Sequence, residues 1–206
     1  MSLNCGAVRT EEKQEMLQKY NTVLFKESWD KYAQGNISAW EMEALCFYYH
    51  EHELEHINNL KYGLIDFFKL SAEPDVDYFF KRNGKDIPIY KISRIAGTII
   101  SKNDTRSSIT LLTTTGVVTV KFTKEYFAMF NRQISEKQED GTKKVLEKGW
   151  FQRGVKVMVT GFRRDDMFIA KTYSKTATHQ LYKITQIYAD GSIDLEHERA
   201  KGGNEE

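Results

Sequence analysis

The sequence predicts an α+β protein, with an N-terminal helical segment followed by a small closed sheet. Two observations carry this. Up to about residue 70, apolar residues recur at helical spacings, and from Ile87 their period drops to two. In the second part the element order is three strands, a short helix and two strands. That is the order of the OB fold, a five-stranded antiparallel β-barrel. Another small antiparallel barrel or a half-open sheet would satisfy the same alternation.

The elements follow in order. Thr10 is placed to cap a first helix whose first turn is acidic, and Met16, Tyr20, Val23, Leu24 and Phe25 can line one face of it. Gly35-Asn36 breaks the pattern. Ser38 then caps a second helix, with Glu41 at the capping-box position and Trp40, Leu45, Tyr48, Tyr49 and Leu54 as its apolar members. Residues 64–86 mix aromatics, charges, Pro74 and Gly84 and are expected to form a connector. Strands are expected over 90–101, 107–114 and 117–122, with Thr115-Gly116 turning between the last two. Phe127 and Phe130 fall at helical spacing over 124–132. Residues 135–148 are polar and predict a mobile loop. Strands over 154–161 and 167–173 flank an Asp165-Asp166 turn. Tyr182, Ile184 and Ile187, then Ala189-Asp-Gly, then Ile193 and Leu195 predict a terminal hairpin, and the tail from Gly202 is expected to fray. The expected division is 1–86, helical segment and connector; 87–178, an OB-fold nucleic-acid-binding domain; and 179–206, hairpin and tail.

Net charge over the 206 residues is +1, but it is unevenly spread. Residues 1–86 carry 10 Lys/Arg against 15 Asp/Glu, residues 87–180 carry 17 against 8, and residues 181–206 carry 3 against 6. A basic island of net +9 between acidic flanks points to an anionic partner for the middle segment. Two cysteines, Cys5 and Cys46, make no disulfide framework. No apolar run approaches the roughly 18 residues a membrane span needs, and residues 1–10 have no apolar signal core. A cytoplasmic protein without cofactor or metal is expected.

His52-Glu-Leu-Glu-His56 matches the H-E-x-x-H zinc-protease pattern, in which two imidazoles share a helical face and the glutamate acts as base. The surrounding run from His50 to His56 is almost wholly polar, and Glu73, beside Pro74, is the nearest nominee for a third ligand. The segment is therefore expected to be the polar end of a helix and not a metal site.

The stretch Trp40-Glu-Met-Glu-Ala-Leu-Cys-Phe-Tyr-Tyr-His-Glu-His-Glu-Leu54 resembles the bacterial replicative DNA polymerase III alpha subunit, in the region between polymerase core and OB domain. Gly97-Thr-Ile-Ile-Ser-Lys, Leu111 to Phe122, Trp150-Phe-Gln-Arg-Gly154 and Gly161-Phe-Arg-Arg164 resemble that OB domain in order and spacing. The likeness covers about residues 15–173. It departs at Cys46, where the family has glycine, and at His50-Glu51 and Glu53, where it has Ser-Gly before the histidine and proline after it. The resemblance implies a non-catalytic portion of a replicative nucleotidyltransferase, because the family's three metal-binding aspartates have no counterpart here. Its partners would be single-stranded DNA and other domains or subunits of a polymerase holoenzyme, with no membrane.

On the OB reading, the groove over the second and third strands binds a single strand through basic side chains and aromatic platforms. Arg94, Lys102, Arg106 and Lys121 are candidates along that groove, Lys143 and Lys144 in the long loop, and Arg163 and Arg164 at the last turn. Phe162 alternates out of register with Val157 and Val159 and is a candidate stacking surface. Of Trp150 and Phe151, one buried and one exposed is expected. The alternative function is a docking module that orients polymerase domains or holds a partner subunit. An exposed hydrophobic patch on residues 11–70 would favour it.

Overall fold

The structure is a computed structural model and describes residues 10–32, 37–138, 142–173 and 179–200. Cys5, the Gly35-Asn36 break and the tail from Gly202 lie outside the described residues. Helix α1 spans Thr10–Tyr32 as the periodicity predicts. Helix α2 is only Ile37–Ala44, much shorter than expected. Glu41 is the cause. Its carbonyl takes the N–H of Leu45 and of Cys46, and its carboxylate accepts the N–H groups of Tyr49 and His50. The chain is folded back onto the helix, with Cys46 at φ 68°. Those N–H donors, the one from His50 first, hold the Glu41 carboxyl below the usual carboxylate range. Ser38 is inside the helix and donates instead to the Glu51 carbonyl at 2.8 Å.

The His52–His56 pattern is not helical. Glu55 N–H bonds to His52 O and Ile57 N–H to Leu54 O, so the segment is a chain of turns with no shared imidazole face. His52 is buried, and both ring nitrogens are engaged by backbone: Nε2 donates to Leu112 O at 3.0 Å and Nδ1 accepts from Leu54 N–H at 3.1 Å. That pairing requires the neutral Nε2–H tautomer, and burial lowers the imidazole pKa. Leu54 and Ile57 point the other way, into apolar contact.

A short helix α3 (Asn59–Tyr62), capped by Asn58, and a 3₁₀ turn (Phe67–Lys69), capped by Asp66, lead on. The expected connector is a hairpin, β1 (Val76–Arg82) and β2 (Lys85–Tyr90). Asn83 and Gly84, at φ 51° and 73°, form its two-residue turn, the type I′ geometry that Asn-Gly favours.

The barrel is built from β3 (Ser93–Asn103), β4 (Ser108–Leu112), β5 (Val117–Lys121), β8 (Lys156–Arg164) and β9 (Met167–Ala170). β3 pairs with β4, β4 with β5, β5 with β9, β9 with β8, and β8 with β3, closing the ring. The fold is α+β with an OB-like five-stranded barrel, and β5–β9 is its one parallel pair, the others being antiparallel. Alternation sends Ile95, Ile99, Leu111, Val118, Val120, Val159 and Phe168 inward. Each such burial contributes about 1.5–3 kcal/mol. Gly161 is where β8 turns from β3 to β9. A Cβ there would lie on the Ile169 carbonyl, so no larger residue fits.

Both barrel ends are stoppered. Helix α4 (Lys124–Asn131), capped by Thr123, places Phe127 and Phe130 at one end, as predicted. Phe130 meets Trp150 at 4.7 Å and Phe127 meets Phe151 at 4.9 Å, so Trp150 and Phe151 are both buried, contrary to expectation. Phe67 of the 3₁₀ turn closes the other end against Phe168. The expected loop over 135–148 forms a hairpin in its described part, β6 (Ile134–Lys137) with β7 (Lys143–Glu147).

The predicted terminal hairpin, β10 (Leu181–Ile187) with β11 (Ile193–Glu196), adds to β8 and extends the sheet to seven strands. On the outer face of this extended sheet, Met158, Ile184 and Ile193 meet Leu54 and Ile57 in a second core. The N-terminal segment is thus packed on the barrel. Beside it, Lys156 Nζ meets Glu53 Oε2 at 2.6 Å, and the Tyr48 hydroxyl donates to Glu53 Oε1 at 3.1 Å and lies 3.0 Å from Thr98 Oγ1.

Candidate nucleic-acid interface

Because paired residues share a face, the barrel's registers define two rows across its outside. One runs Thr110, Thr119, Met167, Arg164, and the other Ser108, Lys121, Ile169, Phe162. Lys121, Arg164 and Met167 are exposed, and Thr110, Thr119 and Ile169 are half-buried. The turn carrying Arg106, also exposed, borders this face, since Ser107 O accepts from Phe122 N–H just after β5. Four of the sequence candidates, Arg106, Lys121, Phe162 and Arg164, therefore meet on one surface.

At the β8 end of that surface is an aromatic–cation cluster. Tyr90 packs on Phe162 at 4.8 Å, and the Arg164 guanidinium lies 5.6 Å from the Tyr90 ring and 5.5 Å from that of Phe162. Phe162 is only 7% exposed, which corrects its assignment as an open stacking surface. Its outward parity is right, but β2 covers it. Tyr90 and Arg164 are the groups left to face a ligand there. Tyr173 accepts the Tyr90 N–H through its hydroxyl at 3.3 Å, and Lys171 sits 5.9 Å from its ring. Burial raises the Tyr173 phenol pKa, keeping it neutral.

The remaining candidates lie elsewhere. Arg163, expected as a free cation at the last turn, is engaged by backbone. Its guanidinium donates to the carbonyls of Asp165 at 2.8 Å, Leu70 at 2.9 Å and Phe67 at 3.4 Å, and rests 4.6 Å from the Phe67 ring. Its guanidinium thus clasps the barrel's Phe67 end and is turned towards these carbonyls and away from the two rows' open face. Arg94 is half-buried, donates to Tyr62 O at 3.3 Å and faces Tyr182, so it serves the packing of residues 62–64. Lys102 reaches Asn131 Oδ1 at 2.6 Å, at the α4 end. Lys143 and Lys144 are exposed on β7, which pairs with β6 in a hairpin that is not part of the barrel sheet.

Two features went unseen in the sequence reading. Lys171 joins the cluster through the chain's path after β9. The β1–β2 hairpin, with Phe79, Phe80, Arg82 and Lys85 exposed, was signalled by Asn83-Gly84 between apolar runs.

No protein-family model and no solved structure matches the chain. It is similar to the "Probable DNA polymerase YorL" of Bacillus subtilis (strain 168) and to a "DNA-directed DNA polymerase" of Bacillus phage SPbeta. Each is 41% identical over 189 residues, which is 91% of this chain. The chain spans 14% of the length of these curated relatives. Its likeness is therefore to one segment of proteins named as DNA polymerases. Among the described residues, no helix is long and apolar enough to cross a membrane, a statement that does not bear on β-barrels.

Proposed function

We propose that this chain is a non-catalytic part of a DNA polymerase III alpha-like protein, and that its barrel binds single-stranded DNA template during replication in the cytoplasm. On this reading residues 87–178 are the binding unit, 1–86 join it to the rest of a polymerase, and within 179–206 the β10–β11 hairpin braces its outer wall. The observation that carries it is the surface joining Arg106, Lys121, Arg164 and Tyr90 across the barrel. Lysine there neutralises phosphate, while Arg164 held against Tyr90 offers a flat surface to a base. Similarity to named DNA polymerases supports the DNA part of the reading. The test is anisotropy titration of labelled single- and double-stranded DNA across salt. Binding should weaken with salt and should not favour duplex. Lys121→Ala/Arg164→Ala should lower affinity and flatten the log–log salt slope by about 1.4. No binding at low salt refutes it.

A second reading is favoured by one observation. Met16, Leu17, Tyr20, Val23 and Leu24 form an apolar stripe on α1 and are all exposed. That stripe suits docking onto another part of a longer polymerase-like chain. Leu17→Ser/Leu24→Ser should abolish co-purification with the remainder of such a protein while sparing DNA binding by this chain.

A further inference from the structure

Among the described residues, β1 and β2 pair only with each other, and the barrel closes without them. A lone two-stranded hairpin is marginal in water. This one also holds aromatic side chains in solvent. Its register sorts them. Tyr78 with Ile89, Phe80 with Ile87 and Arg82 with Lys85 are cross-strand pairs on one face. Tyr78 and Ile89 are half-buried at the base, Phe80 and Ile87 are 53% and 40% exposed in the middle, and Arg82 and Lys85 are exposed at the tip. The opposite face carries Phe79 with Pro88, and Lys81 with Asp86. The acids Asp75 and Asp77 lie towards the base, so the Arg82–Lys85 tip face has no carboxylate of its own.

The hairpin is continuous with the barrel surface. Tyr90, its last residue, packs on Phe162 beside Arg164. Its strands extend about 20 Å at roughly 3.4 Å per residue. An exposed aromatic next to two cations is the arrangement that engages a single strand: a base stacks while phosphates are neutralised. Resting on the single-strand reading above, we propose that β1–β2 is a second contact for the same strand. Phe80 and Ile87 receive a base, and Arg82 and Lys85 hold the adjoining phosphates.

The test uses the full 206-residue chain and labelled oligothymidylates at the two ends of the usual OB range, about 4–6 and about 16 nucleotides. Phe80→Ala should weaken the long oligonucleotide about tenfold and leave the short one unchanged. Arg82→Ala/Lys85→Ala should reduce the salt slope by about 1.4 for the long one alone. Lys121→Ala/Arg164→Ala should weaken both. Circular dichroism and Tm should stay at wild-type values, because the altered side chains are exposed. If the hairpin variants bind the long oligonucleotide like wild type while the barrel variant fails, the hairpin proposal is overturned and the barrel reading stands. Binding of an acidic polypeptide would then be the better account of the tip. If only the hairpin variants lose affinity, the barrel reading falls, and with it the hairpin's role as a second contact, leaving the hairpin as the strand's own site. Wild-type protein that binds neither oligonucleotide at low salt overturns both.

Discussion

Replacing Lys156 by Met should unpin the N-terminal segment from the barrel wall. The Lys156–Glu53 pair is short, 2.6 Å, and largely removed from water, with side-chain exposures of 20% and 6%. At an effective dielectric of 20 its gross attraction is about 6 kcal/mol, most of it offset by desolvating the two ions. The net worth of the intact pair is therefore small. Losing one member is costly, because the Glu53 carboxylate would lose its cation and keep the neutral Tyr48 hydroxyl as a donor. Broken buried pairs cost about 3–5 kcal/mol, and the partial exposure of Lys156 puts this one near 3. Methionine fills most of the lysine stem, so little of the loss is cavity. For a chain of this size, that shifts Tm down by about 6–12 °C. Glu53→Gln/Lys156→Met removes both charges and should recover most of the loss, a coupling of about 2 kcal/mol in a double-mutant cycle. Urea unfolding of the four proteins measures it. Additive losses, or a silent Lys156→Met, would refute the argument that an unpaired buried carboxylate sets the cost.

Other outcomes follow from the same contacts. His52 is buried neutral with its pKa below 6.5, so the unfolded chain binds the proton first and stability falls as pH drops below about 6.5 towards the folded value; His52→Asn should be less stable at pH 8 yet lose less on acidification, as followed by urea midpoints. Arg163→Ala should cost about 2–3 kcal/mol in denaturant titrations, through lost carbonyl and ring contacts, while leaving the salt slope of DNA binding unchanged. Gly161→Ala places a methyl on the Ile169 carbonyl and should cost more than about 4 kcal/mol or prevent folding, visible as loss of soluble yield. Leu54→Ala should cost about 2–5 kcal/mol by opening the second core, measured by thermal melting.

Local periodicity was enough to find the five strands and their inward faces, while closure into a barrel, against a half-open sheet, rests on the β5–β9 and β8–β3 pairings. Alternation in β3, β4, β5, β8 and β9 states which side chains face inward, and Phe127 and Phe130 mark the helix that stoppers one end. Those signals depend only on neighbours within a few residues. The Asn83-Gly84 turn is an equally local signal, carried by two adjacent residues suited to positive φ.

What covers each outward face was decided by residues far away in the chain. Phe162 has outward parity, yet Tyr90 lies on it. Arg163 sits in a charged turn, yet the carbonyls of Phe67 and Leu70, more than ninety residues earlier, absorb its guanidinium. His52 and His56 have helical spacing, but a helix there would have withdrawn Leu54 and Ile57 from Met158, Ile184 and Ile193. Burial of those apolar side chains, with both His52 nitrogens satisfied by backbone, outweighs the few tenths of a kcal/mol per residue that helix propensity offers. Alternation is a nearest-neighbour property, so the side chains that face into the barrel are legible along each strand. Its outer face is not, because folding brings Tyr90, Phe67 and the 52–64 segment against strands whose sequence carries no record of them.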